Sequence, residues 1–157
     1  MSYPAETKSI RVRNRFIELL NRIVKGEEFF STTGVVYDRW KNWKQRDDYP
    51  AYSVFFGPTK EWQEMAGMMA METLILIVKG AIRNEEDAPA QVRRCLRDVR
   101  KAVMDDMISG GAGSLQELCK HLTIGSAATD NGDYASEGYG YFDQEFEVTI
   151  YGAIEEL

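Results

Sequence analysis

The spacing of apolar residues predicts two long helices. Between Thr7 and Lys25 apolar side chains recur at helical intervals, and Gly26 is placed to end that helix. A second helix is predicted to begin at Asp87-Ala88-Pro89, because proline fits the first turn, and to end at Gly110-Gly111. The residues expected to face the core are Ile10, Phe16, Ile17, Leu20, Ile23 and Val24 in the first helix, and Val92, Cys95, Leu96, Val99, Ala102, Val103 and Met107 in the second.

The remaining apolar segments predict strands. Residues 35–40 and 51–56 are rich in β-branched and aromatic side chains, and residues 73–82 carry apolar side chains on both faces, which predicts a central strand buried on both sides. Residues 122–127 and 141–151 are predicted to pair across the Asn131-Gly132 step. The expected fold is α+β: an antiparallel or mixed sheet of four to five strands, two main helices packed on one face, and a long projecting loop or hairpin.

The length of 157 residues suits a single domain spanning residues 1–157. Within this domain we expect a projecting interface loop at residues 57–72, a glycine-rich linker at residues 110–114 and a hairpin region at residues 125–141.

The segment at residues 57–72 holds four of the seven methionines of the chain. Methionine adapts to irregular surfaces and tryptophan is enriched at interfaces, so one interpretation is a subunit interface. The other is an extension of the following strand, with the methionines in the core of their own subunit. A second aromatic cluster, interleaved with basic residues, falls at residues 40–46. The predicted subunit interface consists of Trp40, Trp43, Trp62, Met65, Met68, Met69 and Met71.

Charge is distributed unevenly along the chain. The net charge is -6, and residues 105–157 carry eleven acidic residues against Lys120 alone. Such an acidic segment disfavours tight binding of nucleic acid, whereas opposite charges at two ends of a subunit favour contacts between copies. The predicted acidic channel or partner surface consists of Asp130, Asp133, Asp143, Glu145 and Glu147.

Candidate catalytic chemistry is sparse. His121 is the one histidine, Cys95 falls on the apolar stripe of a helix, and Cys119 has only His121 near it in sequence. We therefore expect no enzyme activity, no metal and no cofactor, and a small cysteine-dependent enzyme is kept as an alternative. The polar N-terminus and the absence of a long apolar run predict a soluble, intracellular protein that does not enter a membrane.

The order of the predicted elements is shared with a known family. The elements are an amphipathic helix at Ile10–Val24, strands at 49–55 and 73–78 flanking a long loop, a helix opened by Pro89 and ending in Val99–Met107, an Asp-Asn-Gly turn, and a last strand at Phe146–Tyr151. In this order they resemble the tail terminator, or tail completion, proteins of long-tailed bacteriophages.

The resemblance implies a structural role. It implies a ring, of hexameric form in that family, at the head-proximal end of the tail tube, where it ends tube polymerisation and offers a surface for head-tail joining. The implied partners are further copies of the chain, the tail tube protein and the head-tail connector protein. DNA would pass through the channel without specific binding, and the protein would be assembled in the host cytoplasm into the virion. Two further alternatives are another connector, neck or tail tube protein of a phage, and a nucleic-acid-binding module that uses the basic residues at 93–101 and the aromatic and basic residues at 40–46.

Overall fold

The computed structural model describes residues 5–41, 48–130 and 138–157. The described residues form three helices, five strands and a short 3₁₀ turn. In chain order these are α1 (Lys8–Asn21), β1 (Val35–Tyr37), β2 (Ala51–Met65), β3 (Met69–Arg83), α2 (Ala88–Ser109), α3 (Leu115–Leu118), β4 (His121–Asp130), β5 (Tyr139–Ala153) and the 3₁₀ turn at Ile154–Glu156.

The strands form one mixed sheet in the order β1-β2-β3-β5-β4. β1 runs parallel to β2, and the other neighbouring pairs are antiparallel. The predicted α+β class and the mixed sheet are thus confirmed. β1 ends at Tyr37, earlier than the predicted residue 40, and β4 and β5 pair as expected, although the Asn131-Gly132 step lies outside the described residues.

The segment at residues 57–72 forms a β-hairpin, which is the second of the two forms expected for the projecting segment and replaces the loop expected at these residues. β2 continues to Met65 and pairs with β3 down to Met69. Pro58 falls where the register shifts between Phe56 and Thr59, a position that tolerates a residue without an N–H donor. The turn is made by residues 66–68, with Gly67 at φ 76° and Met68 at φ 61°. Cross-strand pairing therefore takes the place of the expected irregular loop.

Both long helices pack on one face of the sheet. On β5 alternate residues from Gly140 to Gly152 are buried, and the edge of the Phe16 ring on α1 meets Phe146 with ring centroids 5.2 Å apart. The opposite face carries no helix among the described residues. Ile75 and Ile77 on β3 are consequently only half-buried, so the predicted burial of this strand on both sides is wrong.

The two helices differ in how well their ends were predicted. α2 follows the prediction: the Asp87 side chain accepts a hydrogen bond from the N–H of Ala90, and the helix stops before Gly110. α1 ends at Asn21, several residues before the predicted glycine cap. The N–H groups of Arg22 and Ile23 close its last turn on Leu19 O and Leu20 O, each at 3.2 Å. The hydroxyl of Thr33 adds a second hydrogen bond to Leu20 O at 2.6 Å, and Val24 is left 60% exposed.

The carboxylate of Asp106 links all three helices, through an ion pair to α1 and a hydrogen bond from α3. The guanidinium of Arg15 on α1 binds both carboxylate oxygens of Asp106 on α2, at 3.0 and 2.7 Å. The same carboxylate accepts the N–H of Leu115, the first residue of α3, at 2.9 Å. The predicted glycine-rich linker at residues 110–114 is thereby held at both ends within the domain.

A buried amide holds β4 against β5. The Gln144 side chain is fully buried and accepts a hydrogen bond from Arg100 Nε at 2.8 Å. Its amide nitrogen donates to the carbonyls of Gly125 and Ser126, at 3.1 and 3.3 Å. These carbonyls lie in the register shift of β4, so the side chain of Gln144 satisfies backbone groups that the irregular ladder leaves over.

Candidate interaction surface

The sheet face opposite the helices, here called the open face, carries a row of acidic side chains. Asp143, Glu145 and Glu147 occupy alternate positions on β5, and each is only half-buried. Alternation along a strand sends side chains at every second position to the same face, as the sequence pattern predicted. The side chain of Asp130 and the whole of Asp133 lie outside the described residues.

The acidic row is partly neutralised within the subunit. Lys60 on β2 binds Glu147 at 2.6 Å, and Lys79 on β3 lies 3.8 Å from Asp143. Glu145 accepts a hydrogen bond from the Ser126 hydroxyl at 2.8 Å. The open face is therefore weakly acidic, with cations interleaved among the carboxylates, which is not a pattern that holds a phosphate backbone tightly.

Residues 60–72, here called the hairpin tip, expose large apolar side chains. The exposed fraction is 75% for Met68 and 44% for both Trp62 and Met65, while Met69 and Met71 are half-buried. The second interpretation is right that this segment extends the following strand, but wrong that its methionines lie in the core of their own subunit, because Met65 and Met68 are exposed. The contact with a second copy stays a prediction.

The hairpin tip is held in place by the sheet. β3 is paired with β5 along its whole length, so that Met69 lies opposite Ala153. Beyond the last strand residue, the N–H of Ile154 donates to the carbonyl of Met68 at 2.9 Å. The exposed apolar side chains at the turn thus lie on a backbone that is hydrogen-bonded to the C-terminal segment.

The predicted interface residues do not form one patch. Trp40 is 56% exposed, and its ring lies 5.8 Å from Lys79 Nζ. Lys79 and Met69 are ten residues apart on β3, roughly 33 Å at the rise of a strand. Trp40 is therefore far from the hairpin tip, and Trp43 lies outside the described residues.

Neither cysteine has the environment of a nucleophile. Both thiols are buried, and burial raises the pKa of Cys95 and raises the pKa of Cys119 to about 12. His121 is exposed on β4, opposite Thr149, and no hydrogen bond joins it to Cys119 in the part of the chain that the structure describes. A reactive cysteine requires a lowered thiol pKa, so this geometry favours structural thiols.

Within the described ranges, no helix is long and apolar enough to span a bilayer. Nor do these ranges bring together three or more histidine, cysteine or carboxylate side chains in a group that could hold a metal ion.

A second exposed patch was missed by the sequence analysis. Phe30 is 53% exposed, and Arg97 on α2 places its guanidinium carbon 5.1 Å from the centre of the Phe30 ring. Arg93 and Arg94 are exposed one helical turn before Arg97. We call these four residues the Phe30 corner. The arginines were visible in the sequence as a run on a helix, but nothing local indicated that Phe30 would pack beside them.

The backbone of the Phe30 corner is fixed from inside the protein. Asp98 is fully buried, and its carboxylate accepts hydrogen bonds from the N–H of Phe30 at 3.1 Å and from the N–H and hydroxyl of Ser31 at 2.9 and 2.6 Å. A buried carboxylate is tolerated only when its hydrogen bonds are satisfied. Here those bonds determine where Phe30 lies.

No protein-family model matches the chain, and no curated protein matches it either. Its function is therefore inferred from its own surfaces.

Proposed function

We propose that this chain is a structural subunit of a long-tailed bacteriophage, which forms a ring at the head-proximal end of the tail tube. The ring ends tube polymerisation and offers the surface that joins the head. The resemblance in element order suggests this role, and the α+β architecture of the chain is compatible with it.

The observation that carries the proposal is the hairpin tip. Trp62 and Met65 are solvent-exposed on paired strand backbone at the end of the sheet, and Met68 is exposed in the turn, where its carbonyl accepts the N–H of Ile154. Large apolar side chains grouped on an ordered surface are typical of protein contact sites. A subunit whose apolar arm extends from the sheet is suited to assembly with other copies and with the tube.

The open face supports the same role. Two of the carboxylates on β5 are paired with lysines, Glu147 with Lys60 of β2 and Asp143 with Lys79 of β3. The described part of this face therefore repels DNA only weakly and has no cluster of cations to hold it. If this face lines the channel of the ring, DNA passes along it without being retained. Non-specific passage is what a conduit for the genome requires.

The proposal is tested with the tail tube protein of the same phage. Wild-type chain is added to polymerising tubes, and negative-stain images are scored for a terminal ring and for tube length. We expect shorter tubes with a ring at one end. Tubes of unchanged length with no ring would refute a terminator, and binding to the isolated connector alone would instead assign the chain to the neck.

Two variants separate the hairpin tip from general surface effects. Met68→Asp combined with Met69→Asp is expected to abolish the terminal ring while the circular dichroism spectrum stays native. Ile108→Asp is the matched control, because Ile108 is an exposed apolar residue on α2, 72% exposed against 75% for Met68. Normal capping by the double variant would contradict the role of the hairpin tip.

A further inference from the structure

We infer that the hairpin tip of one copy binds the Phe30 corner of a second copy. The inference deepens the proposed function and rests on it, since it names the surface on which each subunit of a ring receives the next. Two features of the chain support it, which are complementary chemistry and the separation of the two sites within a subunit.

The two sites match in charge and in apolar character. At the hairpin tip, Glu61 and Glu64 are exposed on opposite faces of β2, with Glu64 on the same face as Trp62, and neither takes part in an ion pair within the described ranges. At the Phe30 corner, Arg93 and Arg94 are exposed one helical turn before Arg97, whose guanidinium lies against the Phe30 ring. The hairpin tip, which is acidic and apolar, and the Phe30 corner, which is basic and apolar, are therefore complementary surfaces that every copy of the chain carries.

The backbone of the Phe30 corner is already ordered in the single subunit. The carboxylate of Asp98 accepts backbone N–H groups from both Phe30 and Ser31, which fixes the segment while leaving the Phe30 ring 53% exposed. A contact residue that is already ordered loses little conformational entropy on binding. Phenylalanine and arginine are also enriched in the cores of protein interfaces relative to the rest of the surface.

The hairpin tip cannot reach the Phe30 corner of its own subunit. Arg100, one turn beyond the corner on α2, binds Gln144, which lies opposite Val78 on β3. Met68 precedes Val78 by ten residues, or roughly 33 Å of strand. The contact is therefore made between copies. Because it joins two different surfaces, it repeats head to tail and closes a ring when the rotation between copies allows it.

Disulfide trapping tests this contact directly. Full-length Met68→Cys and Phe30→Cys proteins are prepared separately, mixed, and oxidised mildly, over a range of concentrations and also on tail tubes. We expect a cross-linked dimer in the mixture, at least tenfold above the yield from either variant alone. The native thiols of Cys95 and Cys119 are buried and do not compete. Equal yields in the mixture and in the separate samples, at every concentration and on tubes, would overturn the inference.

A control pair and a charge exchange make the result specific. Met68→Cys mixed with Ile108→Cys is expected to give no more product than the single variants. Reversing the charges of the hairpin tip (Glu61→Lys with Glu64→Lys) or those of the Phe30 corner (Arg93→Glu with Arg94→Glu) is expected to lower the cross-linked yield about tenfold at low salt. Combining the two reversed partners should restore it. Failure of the exchange to restore the yield would also count against the contact.

The outcomes distinguish the inference from the proposed function. If wild-type rings cap tubes but no Met68–Phe30 cross-link forms on them, the phage role stands and this contact is wrong. If the cross-link forms but no tube is capped, the contact between copies stands and the phage role is wrong.

Discussion

The buried carboxylate of Asp98 offers the sharpest test of the structure, because a single isosteric change removes its charge. Asp98→Asn keeps the shape of the side chain but leaves one strong acceptor where there were two. Its new NH₂ group points at backbone donors. Three donors from Phe30 and Ser31 bind the native carboxylate, and the amide oxygen of asparagine can still accept from them. Each charge-assisted hydrogen bond therefore becomes a neutral one, and a loss of about 1 kcal/mol for each predicts a destabilisation of about 3 kcal/mol.

Urea unfolding followed by circular dichroism measures this effect. The unfolding midpoint should fall while the slope stays unchanged, and the melting temperature should drop by roughly 6–12 °C. Ser31→Ala removes one donor and should cost about 1 kcal/mol. Because the two residues share a hydrogen bond, the double variant should lose less than the sum of the two. A loss below about 1 kcal/mol for Asp98→Asn would show that this network does not hold the segment.

Three further predictions follow from other buried groups. Burial raises the pKa of Asp106, but the hydrogen bonds from Arg15 and from a backbone N–H outweigh this effect and lower the pKa overall. The stability that the ion pair contributes is therefore present above about pH 4 and is lost as the pH falls through the lowered pKa. Asp106→Asn should flatten the acid limb of the curve of stability against pH, and an unchanged limb would contradict this. Because burial raises the pKa of Cys95 and Cys119, both thiols should resist a thiol reagent at pH 8 in the native protein and react on unfolding; rapid native labelling of Cys119 would reopen the enzyme alternative. Gln144→Leu should lower the free energy of unfolding by about 2–3 kcal/mol, because it leaves the carbonyls of Gly125 and Ser126 in β4 unsatisfied. Amide hydrogen exchange should accelerate mainly in β4, and an equal acceleration across the whole sheet would contradict this local role.

Local patterns predicted much of this fold because the forces they report are local. The start of α2 depended on Asp87 and Pro89, which act on the backbone within one turn. The alternation on β5 correctly assigned which residues face the core and placed Glu145 and Glu147 on the other side. These features require only neighbours in the sequence.

The predictions failed where the partner lies far along the chain. The end of α1 was placed too late: beyond Asn21 the chain leaves the helix, and Thr33, twelve residues further on, binds the carbonyls of Leu20 and Ile23. The Phe30 corner was missed because its position depends on Asp98, a charge that a helical pattern assigns to the surface.

The sequence by itself determined the α+β class, both long helices, the pairing of the last two strands and the concentration of methionines in one segment. Only the tertiary structure showed that Met65 and Met68 of this segment are exposed. Only the tertiary structure decided that this segment is a hairpin, that one sheet face is left open, and that the acidic row is partly paired with lysines. The physical reason is the range of the interactions. Helix caps and strand alternation are set by adjacent residues. The pairing of Met69 with Ala153 and of Lys60 with Glu147 exists only once the sheet has brought distant segments together.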